Sequence, residues 1–320
     1  MIGRRWRRWR GGAASVGLVV VAATAPLPAQ RTGDAAASAP WRPDSQPVRW
    51  TQGDSGLLVR LAWRAIGDGV SWATLPVRAS GEGTYTRLIV VRIDPSRGRL
   101  VLDAAMPTRR LPDGARRTVA RWTIDTAPAR ARVAFNAGQF DDRLFGVAPF
   151  GWLVLDGRGR QPPGYGPLST AVVIDSSGAV ELRAPAAFAT PERGRRVVWA
   201  FQSYPTLLEG DGEVPLPLRP DGTGIDRTHR DARLAIGVAR DGAVLVLLTR
   251  FDALGPALGS VPLGLTTPET AALMGALGCQ RAVMLDGGTS AQLRLRDARG
   301  QVRRWPGWRR VPLGLLVLPR

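Results

Sequence analysis

This 320-residue chain contains one cysteine, one histidine and no lysine. A lone Cys279 can form neither an internal disulfide nor a thiolate metal cluster. Just after Gly278, at the end of a helix-like run, it reads as a small buried thiol rather than a nucleophile. A lone His229 rules out a multi-histidine metal centre and reads as a surface-loop residue. A G-x-S-x-G nucleophile elbow is absent, which leaves a serine hydrolase without its usual frame. EF-hand spacing is missing too, although carboxylates could still hold Ca²⁺ or Mg²⁺ through oxygen ligands. No cofactor is expected and no metal ligand is assigned.

The missing lysine bears on partners. All 44 cations are arginine, against 26 acidic residues, for a net charge of +18. Such one-sided usage points to a coding bias. The arginines are scattered in ones and twos, and no nucleic-acid-binding pattern accompanies them, so nucleic acid is not the expected partner. A basic surface outside the cytoplasm would meet anionic glycans or phospholipid head groups.

The first residues describe an address. Arg4, Arg5, Arg7, Arg8 and Arg10 precede an apolar run from Ala13 to Ala25 and the small-residue exit Pro26 to Gln30. This order predicts a signal peptide over residues 1–29 and an exported protein, periplasmic, envelope-bound or extracellular. The run falls short of the roughly 20 apolar residues of a membrane span, and an uncleaved anchor is the competing reading. Residues 30–47, rich in Ala, Ser and Pro, read as a linker, leaving 48–320 as a single domain.

That domain reads as α+β, a mostly antiparallel or mixed sheet with a few packed helices. Turn signals at Ser96-Arg97-Gly98, Ser176-Ser177-Gly178 and Asp241-Gly242 each separate two apolar stretches and predict hairpins. One helix is expected over Ala115–Ile124. Another begins near Thr266 or Thr267, where Thr266 and Glu269 have capping-box spacing, and it stops at Gly278. Helix, apolar strand and small polar turn thus occur twice, ending at Asn136-Ala137-Gly138 and at Asp286-Gly287-Gly288. The two turns are expected to meet at one edge of the sheet.

The second turn is the most informative stretch. Ala282 to Leu285 carries one carboxylate, Asp286, to a strand end and into two glycines, where backbone amides are open to close approach. Its bland alternative is an ordinary Asp-Gly turn. Four more segments accompany it: AFNAGQF at Ala134 to Phe140, FQSYPTLLEGDG at Phe201 to Gly212, HRDARLAIGVARDG at His229 to Gly242, and GLTTPETAALMGALGC at Gly264 to Cys279. In order and rough spacing the five resemble the phosphodiester glycosidase domain family, whose bacterial members include exopolysaccharide-related proteins. Gln139 and Thr289 depart from its pattern, at positions where an aromatic or Met and a third glycine are common.

The resemblance implies hydrolysis of a glycosyl phosphodiester, with a glycan or sugar phosphate as substrate partner. The leaving group is already a good one, so an arginine on the phosphate would do much of the work. Arg233 is the first candidate for that clamp, with a structural ion pair as its plainer role. Asp286 becomes the leading carboxylate, as nucleophile, base for water or partner of the oxocarbenium ion. Glycosidases usually need two carboxyl groups, and Glu209 or Asp211 is the candidate second, Glu269 being better explained as a helix cap. Asn136, Gln202, Ser203, Arg230 and Ser290, with Gly138, Gly287 and Gly288, are the expected substrate-binding lining. A non-catalytic carbohydrate- or phosphate-binding protein on the same fold is the alternative, distinguished by lacking a second carboxylate opposite Asp286.

Overall fold

In the computed structural model, a seven-stranded antiparallel sheet organises the molecule. Its strand order is Arg64–Gly67, Val70–Arg78, Tyr85–Ile93, Val244–Phe251, Leu234–Ala239, Cys279–Met284, Thr206–Leu208. Both faces of this sheet are covered, and the sequence alternation says how. Ile89, Val91, Val246, Ile236 and Val283 face one core, while Leu88, Val90, Leu247, Ala235 and Ala282 face another. The first core is closed by two five-stranded sheets, contributing Val172 and Phe201 from one and Phe135, Leu293 and Leu315 from the other. The second core is closed by the helix Thr267–Ala276, all of whose residues are buried. Each buried Val, Leu, Ile or Phe among these contributes about 1.5–3 kcal/mol.

The structure describes residues 47–51, 56–78, 85–110, 116–143, 146–164, 166, 168–188, 196–251 and 263–320. They fall within one compact unit, residues 38–320. The expected signal peptide and nearly all of the expected linker lie outside the described residues. No helix among the described residues is long and apolar enough to cross a membrane.

The α+β expectation is overturned: the protein is mostly β, with 21 strands in four sheets and two short α-helices among the described residues. The predicted helix over Ala115–Ile124 is one source of the error. Arg116–Thr118 is instead a strand pairing with Thr108–Arg110, and Trp122 bridges to Val311. Its apolar residues serve an edge-on seal: Trp122 is fully buried and its Nε1 donates to Asp103 Oδ2 at 3.0 Å.

The hairpins at Ser176-Ser177-Gly178 and Asp241-Gly242 form, with Ala171 opposite Arg183 and Val238 opposite Val244. The turn at Ser96-Arg97-Gly98 does not make one. Gly98–Ala104 leaves the large sheet and pairs with Leu313–Pro319 in another, so this turn crosses between layers. The helix Thr267–Ala276 begins as expected, with Thr266 Oγ1 accepting from Glu269 N and Glu269 Oε2 accepting from Thr266 N at 2.9 Å.

Candidate active site

Strands Val133–Asn136 and Cys279–Met284 belong to different sheets, yet the turns that follow them meet. They do not share one sheet edge; they bridge two layers. Asp286 N donates to Ala137 O at 3.0 Å, and Asn136 Nδ2 donates to Asp286 O at 2.7 Å. Asn136 Oδ1 in turn accepts from Gln292 N at 2.9 Å. Asn136 is fully buried, so it holds the turn and touches no solvent-borne substrate. Leu285 N to Leu234 O (2.8 Å) and Gly288 N to Ala232 O (2.7 Å) fasten the other side.

The glycines make room for neighbours. A Cβ on Gly287 would lie 2.8 Å from Ala232 O, and one on Gly138 would lie 2.7 Å from Gln202 O. Gly288 has φ +56°, and a Cβ there would stand 2.8 Å from Asp231 Oδ2. The carboxylate of Asp231 therefore rests directly against the Asp286 turn.

Asp286 itself is half-buried, and its Oδ2 is enclosed without a hydrogen-bond partner among the described residues. Burial raises its pKa to about 6, a hydrogen bond from Ser290 and the charge of Arg309 pull it down, and the charge of Asp231 pushes it further up. Asp231 is raised as well, chiefly by burial, against a hydrogen bond from Ala232 N and the charges of Arg233 and His229. His229 Nε2 stands 3.7 Å from Asp231 Oδ2 at the exposed rim. Two carboxyl groups that both resist ionisation thus stand at one turn, an arrangement that acid–base chemistry can use.

The other expected residues divide. Ser290 is buried beside Asp286. Arg233 reaches the same neighbourhood, but its Nε donates to Leu265 O at 2.8 Å and its Nη2 to His229 O at 2.6 Å. It fixes the loop that carries Asp231. Arg230 makes a bidentate ion pair with buried Glu269, at 2.8 and 3.1 Å. Gln202 is buried, accepting from Trp152 N and Gly164 N and donating to Gly164 O. Ser203 Oγ lies 2.5 Å from Met284 O and 2.8 Å from Gln139 Oε1.

Glu209 is not brought to Asp286. Leu208 pairs with Ala282, so Glu209 lies beside Arg281, five residues back along the strand line, about 16 Å by strand rise. Asp211 follows it in the next turn.

Three residues at this site escaped the sequence reading. Asp231 is one. Arg309 is the second: its backbone N donates to Thr289 O, its guanidinium lies 4.6 Å from the Phe140 ring centre and its Nη2 3.2 Å from Asp142 Oδ2. The third is Tyr204, exposed at the rim, edge-on to Phe150 at 4.7 Å, with its pKa raised by burial and by the charges of Asp286 and Asp141.

Comparison with known proteins accords with this geometry. A search of curated proteins finds no match. Among solved structures, the zebrafish N-acetylglucosamine-1-phosphodiester alpha-N-acetylglucosaminidase catalytic domain, auto-inhibited by its pro-peptide, superposes with a TM-score of 0.59. It is 16% identical, over 80% of this chain and 86% of that one. A hypothetical protein from Synechocystis gives a TM-score of 0.51 at 16% identity, over 81% of this chain and 64% of that one. At such identities the likeness is one of fold. The phosphodiester glycosidase family profile, however, matches residues 129–318, more than half of the sequence and every segment of the site just described, and the chain belongs to the phosphodiester glycosidase family.

Proposed function

We propose that this protein is an exported hydrolase that cleaves a glycosyl-1-phosphodiester in an envelope or extracellular glycan. The observation that carries the reading is the enclosed Oδ2 of Asp286, without a hydrogen-bond partner among the described residues, with the Asp231 carboxylate across Gly288. Most glycosidases use two carboxyl groups at the bond they break, whereas a binding module can dispense with the second. Export rests on the arginine-rich head and the short apolar run at the N-terminus.

The bond broken is the anomeric C–O. Water adds to the anomeric carbon, and the phosphate monoester departs with the bonding electron pair. Asp286 in its ionised form meets the positive charge that develops on that carbon. Asp231 accepts the proton lost by the water. Arg309, whose guanidinium at the rim contacts Asp142 in an exposed ion pair and the Phe140 ring, neutralises the phosphate. Asn136, Arg233 and Ser290 are positioning residues, holding the two carboxylates in place.

The test is hydrolysis of a panel of sugar-1-phosphate diesters, including nucleotide sugars, with aryl glycosides as controls. Free sugar released from the diesters, and abolished in folded Asp286→Asn and Asp231→Asn variants, is the expected result. Undiminished turnover in both variants would remove the site. No turnover at all, with sugar phosphates raising the melting temperature, would favour the binding module.

A further inference from the structure

Arg281 and Glu209 lie too far from Asp286 to serve its chemistry, and they border two adjoining cavities at the edges of two sheets. One lobe, about 330 Å³, is bounded by Thr206, Leu208 and Glu209 on one side and Leu168 to Thr170 and Leu182 on the other. A second, about 630 Å³, continues past Asp211 and Arg183. Both lobes share Leu182, Ala184, Gly210 and Arg281, so they form one cleft. Its walls are the edge strands of two sheets, Thr206–Leu208 and Val180–Arg183. Volumes of roughly 300–1,000 Å³ are those of small-molecule sites.

We infer that this cleft is a saccharide-binding subsite that holds sugar units of a polymeric substrate remote from the bond being cut. The inference rests on the glycosidase reading above and extends it to the substrate class.

Three observations carry it. First, Ser169 is only 3% exposed, lines the cleft, and its Oγ has no hydrogen-bond partner among the described residues. Buried hydroxyls are ordinarily satisfied. Its neighbours obey the rule: Thr170 and Thr206 bond each other at 2.6 Å. Ser169 is the member of this wall left with a bond to give, and a sugar hydroxyl would take it.

Second, the charges suit a hydroxyl-rich neutral chain and not a polyanion. Two arginines, Arg183 and Arg281, stand against three carboxylates, Glu181, Glu209 and Asp211. Arg183 is paired with Glu181 at 2.8 Å. Arg281 is exposed and spends Nη1 on one long bond, 3.3 Å, to Leu182 O. Its planar fork faces the Glu209 side across Gly210, where a Cβ would sit 3.1 Å from Nη2. A guanidinium and a carboxylate flanking an apolar floor of Leu168, Leu182 and Leu208 can bracket vicinal hydroxyls above an aliphatic surface.

Third, the cleft and the catalytic turn lie along one strand, Cys279–Met284, which leads into Asp286 and pairs with Thr206–Leu208 on the cleft wall. Thr206, which opens the cleft, is opposite Val283, three residues or about 10 Å of strand before Asp286. Leu208, opposite Ala282, and Glu209 follow further from Asp286 on the same side. The spacing accommodates a chain of sugars laid along the strand. One main-chain group on each edge is already engaged, Thr206 N by Leu168 O and Leu182 O by Arg281, which leaves a shorter edge for a peptide strand.

The experiment is calorimetric titration of the full chain carrying Asp286→Asn with N-acetylglucosamine, glucose, chitotetraose, cellotetraose and maltotetraose. At least one tetrasaccharide should bind at least tenfold more tightly than its monomer. Adding Arg281→Gln or Ser169→Ala should each weaken that binding at least fivefold, with unchanged circular dichroism. A tetrasaccharide no better than its monomer in all three series, or binding unaffected by both substitutions, overturns the subsite. Because binding is read without turnover, failure of the reaction assignment shows separately. Tetrasaccharide binding in a protein that cuts no diester leaves the cleft standing and removes the hydrolase.

Discussion

Asn136 Nδ2 donates to the main-chain oxygen of Asp286 at 2.7 Å while its Oδ1 accepts from Gln292 N at 2.9 Å. One fully buried amide thereby ties a strand of one sheet to the turn that ends a strand of another. Asn136 is the only asparagine in the sequence. Aspartate in its place would keep the acceptor but put a charge in the interior, and alanine would orphan both partners.

Asn136→Ala is therefore expected to destabilise the fold by about 1–3 kcal/mol for each buried group left unpaired. Urea denaturation reads this as a lower midpoint. Turnover should fall more than affinity, since the residue positions Asp286 without touching substrate. A variant with normal stability and a selective rise in KM would instead place Asn136 in direct contact with the sugar.

Asp286 gives a prediction with a definite sign. Its folded-state pKa is raised from 3.8 to about 6 by burial, so ionising it costs folding free energy. The protonated form's advantage is complete below pH 3.8 and is lost as pH rises through about 6. Above that the deficit is on the order of 3 kcal/mol. Asp286→Asn should accordingly melt above the wild type at pH 8, and the gap should close below pH 4. Activity should run the other way, rising as Asp286 ionises near pH 6. A wild type and variant with parallel melting curves across that range would mean that Asp286 is solvated.

The meeting of the Asn136 and Asp286 turns was readable from residue order because both are built at strand ends. Asp286, Ser290 and Asn136 stand where an apolar strand runs into small polar residues, and the structure joins those turns. Asp231 was not readable because its position depends on pairing. Leu234–Ala239 and Cys279–Met284 run antiparallel, with Ala235 opposite Met284, so residues just before the first strand lie beside those just after the second. Glu209 stands apart from Asp286 for the same reason: it lies at the far end of the pairing with Cys279–Met284. The surplus helix over Ala115–Ile124 arose from apolar residues at helical spacing that in fact seal a layer edge, with Trp122 closing over Gly314, where even a Cβ would collide at 1.9 Å.

Gly288→Ala tests whether the two carboxylates act together. The new methyl group would stand 2.8 Å from Asp231 Oδ2, and the backbone at φ +56° adds about 1 kcal/mol of strain. Asp231 must move away from Asp286. Turnover should drop at least tenfold with only a small loss of stability, and the apparent pKa of the rising limb should fall, because the like charge that raises Asp286 has receded. An unchanged pH profile would separate Asp231 from the reaction.

Two arginines compete for the phosphate, and their surroundings distinguish them. Arg233 is desolvated, which lowers its pKa, and it holds the carbonyls of Leu265 and His229. Arg309 stands at the rim, its charge felt by Asp286. Arg309→Gln should cut kcat/KM for a glycosyl phosphodiester about 100-fold, the usual cost of losing one charge-stabilising donor, while leaving an aryl glycoside nearly untouched. Arg233→Gln should cost about 1–3 kcal/mol of stability through the two lost bonds and slow both substrates alike. Steady-state kinetics on the matched pair of substrates decides the matter, because only the residue that touches phosphate can distinguish them. A phosphodiester-selective loss in Arg233→Gln, with none in Arg309→Gln, would return the clamp to the arginine that the sequence pattern favoured and require its guanidinium to leave the two carbonyls when substrate binds.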